Sequence, residues 1–222
     1  GEVSGDNLAS IRNAADENAF ITGAIAALAS KTGTIGWIGA VEVPTTSEVF
    51  DGYEAGAKYA NPEIEVLSAY VGSYNDTAKA KELALTMYEQ GADVIQSNAN
   101  QGTAGIIEAT YEQGTDSGMM LIGNTTDQYE DAPEFMLTSC TIDFAAAFRL
   151  PIEQVMDGTF EGGIMLGTVA NGVMGYAPYH DLEDTLTDEE KATIEQIATD
   201  LAEGELNSYL PCDYSAFGRP TE

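Results

Sequence analysis

The hydrophobic positions fall into short apolar runs that alternate with stretches of helical spacing. The runs predict strands at 7–14, 34–41, 64–72, 93–99, 119–125 and 135–142. Apolar residues three and four apart predict the helices between them, at 17–30, 47–59, 76–90 and 102–113. Four successive strand–helix steps are typical of a parallel sheet with helices on both faces. The pattern therefore predicts an α/β fold with a doubly wound parallel sheet.

The second half of the chain departs from this regular alternation. A helix with Asp143 as its N-cap is predicted to run to residue 156. Two short strands within 163–179, around an Ala-Asn-Gly turn, predict a hairpin. Thr187 and Glu190 predict a capping box at the start of the last helix. Residues 206–222 show no periodicity and predict an irregular tail.

Composition narrows the possible partners. The net charge is −29, from 37 acidic and 8 basic residues among 222. Such a charge repels phosphate backbones and anionic lipids, so nucleic acid and direct membrane-surface binding are not expected. No apolar run reaches the length of about 18 residues that a membrane-spanning helix needs. Cys140 lies in an apolar run and is predicted to be a buried thiol, with a Cys140–Cys212 disulfide as the alternative.

The carboxyl ends of four predicted strands, and the residues just after them, are mostly polar. In a parallel sheet the carboxyl ends of the strands form the ligand-binding edge. Amides and hydroxyls there, beside the rings of Tyr74 and Phe50, suit a polar and mostly uncharged ligand. The alternative is that these are ordinary turn residues that cap helices. The residues are Glu42, Val43, Pro44, Ser73, Tyr74, Asn75, Ser97, Asn98, Ala99, Asn100, Asn124, Thr125, Thr126 and Asp127.

Signatures of catalysis are weak. His180 is the single histidine, and with Asp181 it could form a general base and its orienting group. The alternative is an ordinary loop histidine, because no nucleophile motif, phosphate-binding loop or HExxH motif accompanies it. Glu42 and Asp127 could form a carboxylate pair, but the sequence gives no distance between them. An α/β enzyme that uses these residues is the minor hypothesis.

Several long blocks resemble one known family. KTGTIGWIGAVEVP, GYEAGAKYANPEIEVLSAYVGSYNDTAKAKELALTMYEQGADVI, MLTSC and NGVMGYAPYHDLED are similar to the basic membrane protein family, the purine-nucleoside-receptor-like substrate-binding lipoproteins of ABC importers. The resemblance covers about residues 7–205. It implies a type I periplasmic-binding-protein fold with two lobes, the first of them incomplete because an N-terminal stretch that carries half of the ligand site is absent.

The resemblance also implies a division of the chain and a set of partners. Residues 1–33 and 143–157 are expected in the N-terminal lobe, residues 34–140 and about 160–180 in the C-terminal ligand-binding lobe, and 187–203 in a terminal helix. The implied function is an extracytoplasmic, non-enzymatic substrate-binding protein. Its partners would be a nucleoside-like or purine-like small molecule and an ABC permease, with no cofactor, no metal and no nucleic acid. The membrane would be reached only through a lipid anchor that this chain lacks. A ligand-sensing domain of a signalling receptor is the alternative.

The ligand pocket of the family is only partly matched. Tyr74 matches the aromatic residue of a Gly-Ser-Phe-Asn-Asp turn, whereas Asn100 and Gln101 replace a Gly-Gly turn. Thr125 stands where the family has an Asp for ribose hydroxyls, and Ile142 where it usually has a Lys. Losing both charges together leaves no unpaired buried charge, which indicates a re-specified pocket for a nucleobase, another nucleoside pose or a different polar metabolite. The candidate ligand-binding residues are Phe50, Tyr74, Asn98, Asn100, Gln101, Thr125 and Asp127.

Overall fold

The structure, a computed structural model, describes residues 5–219. Its strands are β1 (Ala9–Asn13), β2 (Thr34–Gly39), β3 (Glu65–Tyr70), β4 (Val94–Asn98), β5 (Met120–Thr125), β6 (Met136–Ile142), β7 (Gly163–Gly167) and β8 (Met174–Tyr176). Its helices are α1 (Ala15–Ala29), α2 (Pro44–Ala60), α3 (Thr77–Glu89), α4 (Thr103–Gln113), α5 (Phe144–Asp157) and α6 (Asp188–Glu203).

The larger sheet has the doubly wound form that the sequence predicts. Within the described range its strand order is β3-β2-β4-β5-β6-β8, with β2 to β6 parallel and β8 antiparallel at one edge. Alternate side chains enter two separate cores. Ile35 and Trp37 pack with α1, α2 and α6, whereas Ile38 and Ile95 pack with α3 and α4. Both faces of these strands are buried, which explains their continuous apolar runs.

The strand order reverses at β2. The strand that follows it in sequence, β3, lies on one side of it, and β4 lies on the other. The loops that leave the carboxyl ends of β2 and β4 therefore run to opposite faces of the sheet and leave a crevice between them. Open α/β sheets bind their ligands at such a switch point.

Helix α1 packs with the larger sheet, and this differs from the expected grouping of residues 1–33 with the other lobe. It is buried on all sides, with 13 of its 15 residues buried, rather than along one face. Glycines allow α2 to approach it closely. A Cβ at Gly56 would lie 1.9 Å from the carbonyl oxygen of Phe20, and one at Gly23 would lie 2.0 Å from that of Tyr53. The wider division into lobes stays a prediction.

The predicted hairpin within 163–179 is wrong. Both short strands exist, but β7 pairs in parallel with β1 in a separate sheet that has two strands among residues 5–219, whereas β8 pairs with β6. The Asn171 side chain holds the turn between them. Its Oδ1 accepts from the Thr168 N–H at 2.9 Å, and its Nδ2 donates to the Leu166 carbonyl at 2.8 Å. This turn passes the chain from one sheet to the other instead of folding it back.

The predicted helix ends are confirmed. The Asp143 carboxylate accepts from the Ala146 N–H at 2.9 Å, and α5 ends at Gly158 in the left-handed conformation. Thr187 and Glu190 form the capping box of α6. Helix α5 contacts β1 and β7 but leaves apolar side chains exposed on its outer face. They are Phe144, Phe148, Ile152, Val155 and Met156.

The tail folds back over the start of α1. Two short 3-10 turns, Asn207–Tyr209 and Ser215–Phe217, lead to Arg219, which pairs with the buried carboxylates of Asp16 and Glu17. Residues 1–4 and 220–222, which belong to the predicted first lobe and tail, lie outside the described residues. Cys140 is a buried free thiol, as predicted, and Cys212 is also free, so the alternative disulfide is wrong. No helix between residues 5 and 219 is long and apolar enough to cross a membrane.

Candidate functional site

Three neighbouring cavities meet where β1 faces the carboxyl ends of β2 and β4. Their volumes are about 380, 300 and 500 Å³, and each of them is lined by Asn100. We call the three together the cleft. It lies at the switch point of the larger sheet, where the strand order predicts a ligand site. Residues from both sheets line the 380 Å³ cavity: Ile11, Arg12, Asn13, Ala15, Asn18, Ala40, Val43, Thr45, Thr46, Glu48, Val49, Tyr74, Asn98, Asn100, Asn124, Cys140, Ile142 and Met174.

Five of the seven candidate residues lie together in the cleft. Tyr74 and Gln101 line its outer part, where the Gln101 N–H donates to the Tyr74 carbonyl at 3.1 Å. That bond joins the loop after β3 to the loop after β4. Asn98 and Asn100 line the centre, and Thr125 lines the 300 Å³ cavity beside β5. Tyr74 is 54% exposed, so its ring is available to a ligand.

Two of these residues hold unusual backbone conformations. Asn100 has φ +58° and Thr125 has φ +75°. Asparagine tolerates the left-handed region, but it is costly for a β-branched residue such as threonine. Backbone strain of this kind is concentrated at functional sites, where the surrounding structure maintains it. The strain therefore falls on the same edge of the sheet as the cleft.

Phe50 and Asp127 lie outside the three cavities. The Phe50 ring packs against Trp37, with ring centroids 5.4 Å apart, beside the core between α2 and the sheet. The Asp127 carboxylate bonds His180 Nε2 at 2.8 Å. The His180 ring stacks on Tyr129 at 4.2 Å. These contacts bind the loop after β5 to the turn before α6, so we leave both residues out of the proposed site.

Some lining residues are missing from the sequence prediction. Arg12 and Asn13 lie at the carboxyl end of β1, where the same strand-end rule would have found them. Asn18 comes from α1 and Glu48 from the first turns of α2. No local pattern marks either of them, because each reaches the cleft only through the packing of its helix. Ile142, which the resemblance aligns with a lysine position, does line the cleft.

The charges in the cleft neutralise one another. Among the described lining residues, Arg12 and Glu48 are the only charged side chains. Arg12 donates to both carboxylate oxygens of Glu48, and the Tyr214 hydroxyl donates to the same carboxylate at 2.9 Å. Partial burial opposes the charge on Arg12, but Glu48 raises its pKa. The remaining polar groups are amides and hydroxyls, which suits a neutral ligand.

The cleft offers little for covalent or metal chemistry. Burial raises the pKa of the Cys140 thiol to about 12, so the thiol stays protonated rather than becoming a nucleophile. Between residues 5 and 219, no group of three or more His, Cys, Asp or Glu side chains could hold a metal ion. What the cleft presents is hydrogen-bonding capacity on a preformed scaffold.

Sequence comparison identifies relatives of the chain. The model of a family described as "ABC transporter substrate-binding protein PnrA-like" matches residues 1–205. Basic membrane protein A of Borreliella afzelii is 40% identical over 172 residues, which are 77% of this chain and 52% of that protein. Basic membrane protein A of Borreliella burgdorferi is 39% identical over 172 residues, 77% of this chain and 50% of that protein. The chain thus spans about half the length of these curated relatives.

Solved structures of other proteins are similar to this chain over most of its length. A solute-binding protein of an ABC transporter system from Aeropyrum pernix has a TM-score of 0.80 at 21% identity, over 97% of this chain and 70% of that one. A structure described as a transcriptional activator of the comK gene from Bacillus halodurans has a TM-score of 0.78 at 27% identity. The match covers 92% of this chain and 69% of that one. These likenesses confirm the predicted type I periplasmic-binding-protein fold. Together with the family match, they show that the chain belongs to the Bmp family of PnrA-like ABC transporter substrate-binding proteins.

Proposed function

We propose that this chain is the ligand-binding part of an extracytoplasmic substrate-binding protein that serves an ABC importer. The ligand is a small, uncharged polar molecule such as a nucleoside or nucleobase. The observation that carries this proposal is the cleft, which is lined by β1 of the smaller sheet and by the carboxyl ends of β2 and β4 of the larger one. Its central cavity of about 380 Å³ lies within the range of about 300–1,000 Å³ for small-molecule sites.

Closure of the cleft around a ligand would allow the permease to distinguish the ligand-bound form. Within residues 5–219 the chain passes between the two sheets near Ala14, near Asp143 and at 168–173. Neighbouring crossings are hydrogen-bonded, since the Ala14 N–H donates to the Gly167 carbonyl at 2.8 Å and the Asp143 N–H to the Val173 carbonyl at 2.7 Å. Adjacent crossings of this kind form a hinge. A ligand that touches both sides favours the closed form, which the permease would recognise.

The chemistry of the cleft supports binding rather than turnover. Asn98, Asn100 and Asn124 supply donors and acceptors but no general base. The catalytic alternative uses Glu42, Asp127 or His180, and the latter two bond each other outside the cavities. In the intact protein we expect a lipid anchor to hold the domain at the outer surface of the membrane.

The proposal is tested with the full-length protein by calorimetry against common nucleosides and nucleobases. We expect at least one to bind, with affinity lowered about fivefold or more by Asn100→Ala, because a hydrogen bond is lost. Asn61→Ala is the matched control, since Asn61 precedes β3 at the opposite edge of the sheet. The absence of binding by every compound would refute the proposal. Conversion of a bound nucleoside, abolished by His180→Ala, would replace it with the enzymatic hypothesis.

A ligand-sensing domain is the second candidate. It is favoured by the likeness, at 27% identity, to the structure described as a transcriptional activator. Both functions need the same cleft, so ligand binding cannot separate them. Co-purification of the tethered protein with an ABC permease, strengthened by ligand, would support transport. A fused signalling domain or a ligand-dependent change in transcription would support sensing.

A further inference from the structure

The centre of the cleft contains a pair of asparagines that hydrogen-bond each other. Asn124 Nδ2 donates to Asn98 Oδ1 at 2.6 Å. Both residues are half-buried, and both line the 380 and the 300 Å³ cavities. We call Asn98 and Asn124 the amide pair. Together with Asn100, it lies between the two cavities.

One bond within the amide pair leaves a fixed pattern for a ligand. Asn98 Nδ2 remains a donor and Asn124 Oδ1 remains an acceptor, and neither bonds another described residue. Turning both amides over exchanges the atoms but again leaves one donor beside one acceptor. Either orientation of the two amides therefore presents one donor beside one acceptor, and only their order is reversed.

The surrounding bonds hold the pair in place. The Asn124 N–H donates to Gln128 Oε1 at 2.8 Å, and the Gln128 N–H donates to the hydroxyl of the fully buried Ser139 at 3.0 Å. On the other side, the Ala40 N–H donates to the Asn98 carbonyl at 2.9 Å. A site held by a second layer of hydrogen bonds loses little entropy when a ligand binds.

A third amide adds an acceptor. Asn18 is only 2% exposed and lines the 380 Å³ cavity with the amide pair. Its Nδ2 donates to the Thr141 carbonyl at 2.8 Å, which leaves its Oδ1 without a partner among residues 5–219. An acceptor on a buried side chain calls for a donor on the ligand, because leaving it unpaired costs free energy.

We propose that the amide pair recognises an edge of the ligand that carries a carbonyl next to an N–H, as in a lactam heterocycle. Asn98 Nδ2 donates to the ligand carbonyl, and Asn124 Oδ1 accepts from the adjacent N–H. This proposal rests on the proposed function and specifies the ligand class of the same cleft. A sugar diol also offers neighbouring donors and acceptors, but in dinucleotide-binding α/β folds the ribose hydroxyl is held by a carboxylate. The one lining carboxylate, Glu48, already accepts from Arg12 and Tyr214.

The test compares three probes on the full-length protein by calorimetry. Inosine carries both the lactam edge and the diol, 1-methylinosine lacks the N–H, and 2′,3′-dideoxyinosine lacks the diol. We expect methylation to weaken binding about tenfold or more, because it leaves an acceptor unpaired, and removal of the diol to change affinity less. Equal binding of inosine and 1-methylinosine, or a loss confined to the dideoxy compound, would overturn the lactam proposal while the proposed function stands. If neither inosine nor any other nucleoside or nucleobase binds, the proposed function fails as well.

A substitution gives an independent readout. Asn98→Asp makes the pair present two acceptors, because Asn124 Nδ2 still donates to the new carboxylate. Guanosine, whose N1–H and N2–H₂ are neighbouring donors, should then bind better than inosine by about tenfold, whereas the wild-type protein should bind both comparably. Asn61→Asp adds the same charge far from the cleft and should leave the ratio unchanged. Circular dichroism confirms that each variant is folded, and an unchanged ratio in folded Asn98→Asp would overturn the proposal.

Discussion

Arg219 joins the C-terminal tail to helix α1 through buried ion pairs, and its removal should destabilise the fold strongly. Its guanidinium donates to the two oxygens of Asp16 at 2.8 and 2.6 Å and to Glu17 at 2.9 Å. Asp16 is fully buried and Glu17 is 4% exposed. Burial raises the pKa of Glu17, although the Val169 N–H and Arg219 oppose that shift. Both carboxylates therefore depend on Arg219 for a counter-charge.

Arg219→Met removes that charge while keeping an unbranched apolar chain. Two carboxylates then stay in the interior without a cation, and breaking a buried pair in this way costs about 3–5 kcal/mol. Lys58→Met is the control. Lys58 Nζ lies 2.6 Å from Glu54, but both side chains are exposed on α2. Losing such a pair should cost less than about 1 kcal/mol.

The two variants are compared by urea unfolding, followed by circular dichroism at neutral pH. The quantity to compare is the loss in free energy of unfolding, which should be larger in Arg219→Met than in Lys58→Met. A further variant that combines Arg219→Met with Asp16→Asn and Glu17→Gln should recover part of the loss, because no unpaired charge remains. Equal, small losses in the first two variants would show that the tail does not depend on this cluster, and the reasoning would be refuted.

Three other predictions concern the cleft, a helix cap and the exposed face of α5. Tyr74→Ala should weaken nucleoside binding by about 1–3 kcal/mol if the base stacks on its ring, and unchanged affinity by calorimetry would remove Tyr74 from the site. Thr187→Ala should cost about 1 kcal/mol in thermal or urea unfolding. Burial acts to raise the pKa of Glu190, but hydrogen bonding by Thr187 lowers this pKa overall. The stability that the Thr187–Glu190 bonds contribute is therefore present above the ordinary pKa of 4.5 and is lost as the pH falls. The variant should lose less stability than the wild type on acidification below that pH, and parallel losses would contradict the linkage. The side chains of Phe148 and Val155 are 63% and 62% exposed. The double variant Phe148→Ser/Val155→Ser should reduce any self-association of the chain in light scattering. Unchanged scattering would show that this face does not mediate self-association.

Local sequence signals predicted the helices and strands, but not all of the pairings between them. The apolar runs of β2, β4 and β5 predicted buried parallel strands, and the caps at Asp143 and Thr187 predicted helix starts. The turn at 170–172 was visible, but periodicity cannot say that β7 pairs with β1, more than 150 residues earlier. The packing of α1 against α2 likewise depends on close approach at glycines of two different helices. Such non-local contacts leave no periodic trace.

The candidate site was predictable where the strand-end rule applies directly. Tyr74, Asn98 and Asn100 lie at or just after the carboxyl ends of strands of the larger sheet, and they line the cleft. Phe50 was selected by its position in the chain, but its side chain points at Trp37 because of the helical rotation of α2. Asn18 could not be found in this way, because it reaches the cleft from a helix, α1, that the family resemblance groups with the other lobe.

Hydrogen exchange of the full-length protein, with and without its tightest-binding nucleoside, tests the central claim most directly. We propose that the ligand binds at the switch point between β2 and β4, facing β1. Binding should therefore slow exchange in the loop and first turns of α2 at 40–49, in the turn at 98–103 and around the proposed hinge segment at 10–18. Exchange that slows on the outer faces of α3 and α4 instead, or that is unchanged in these three segments at saturating nucleoside, would contradict it.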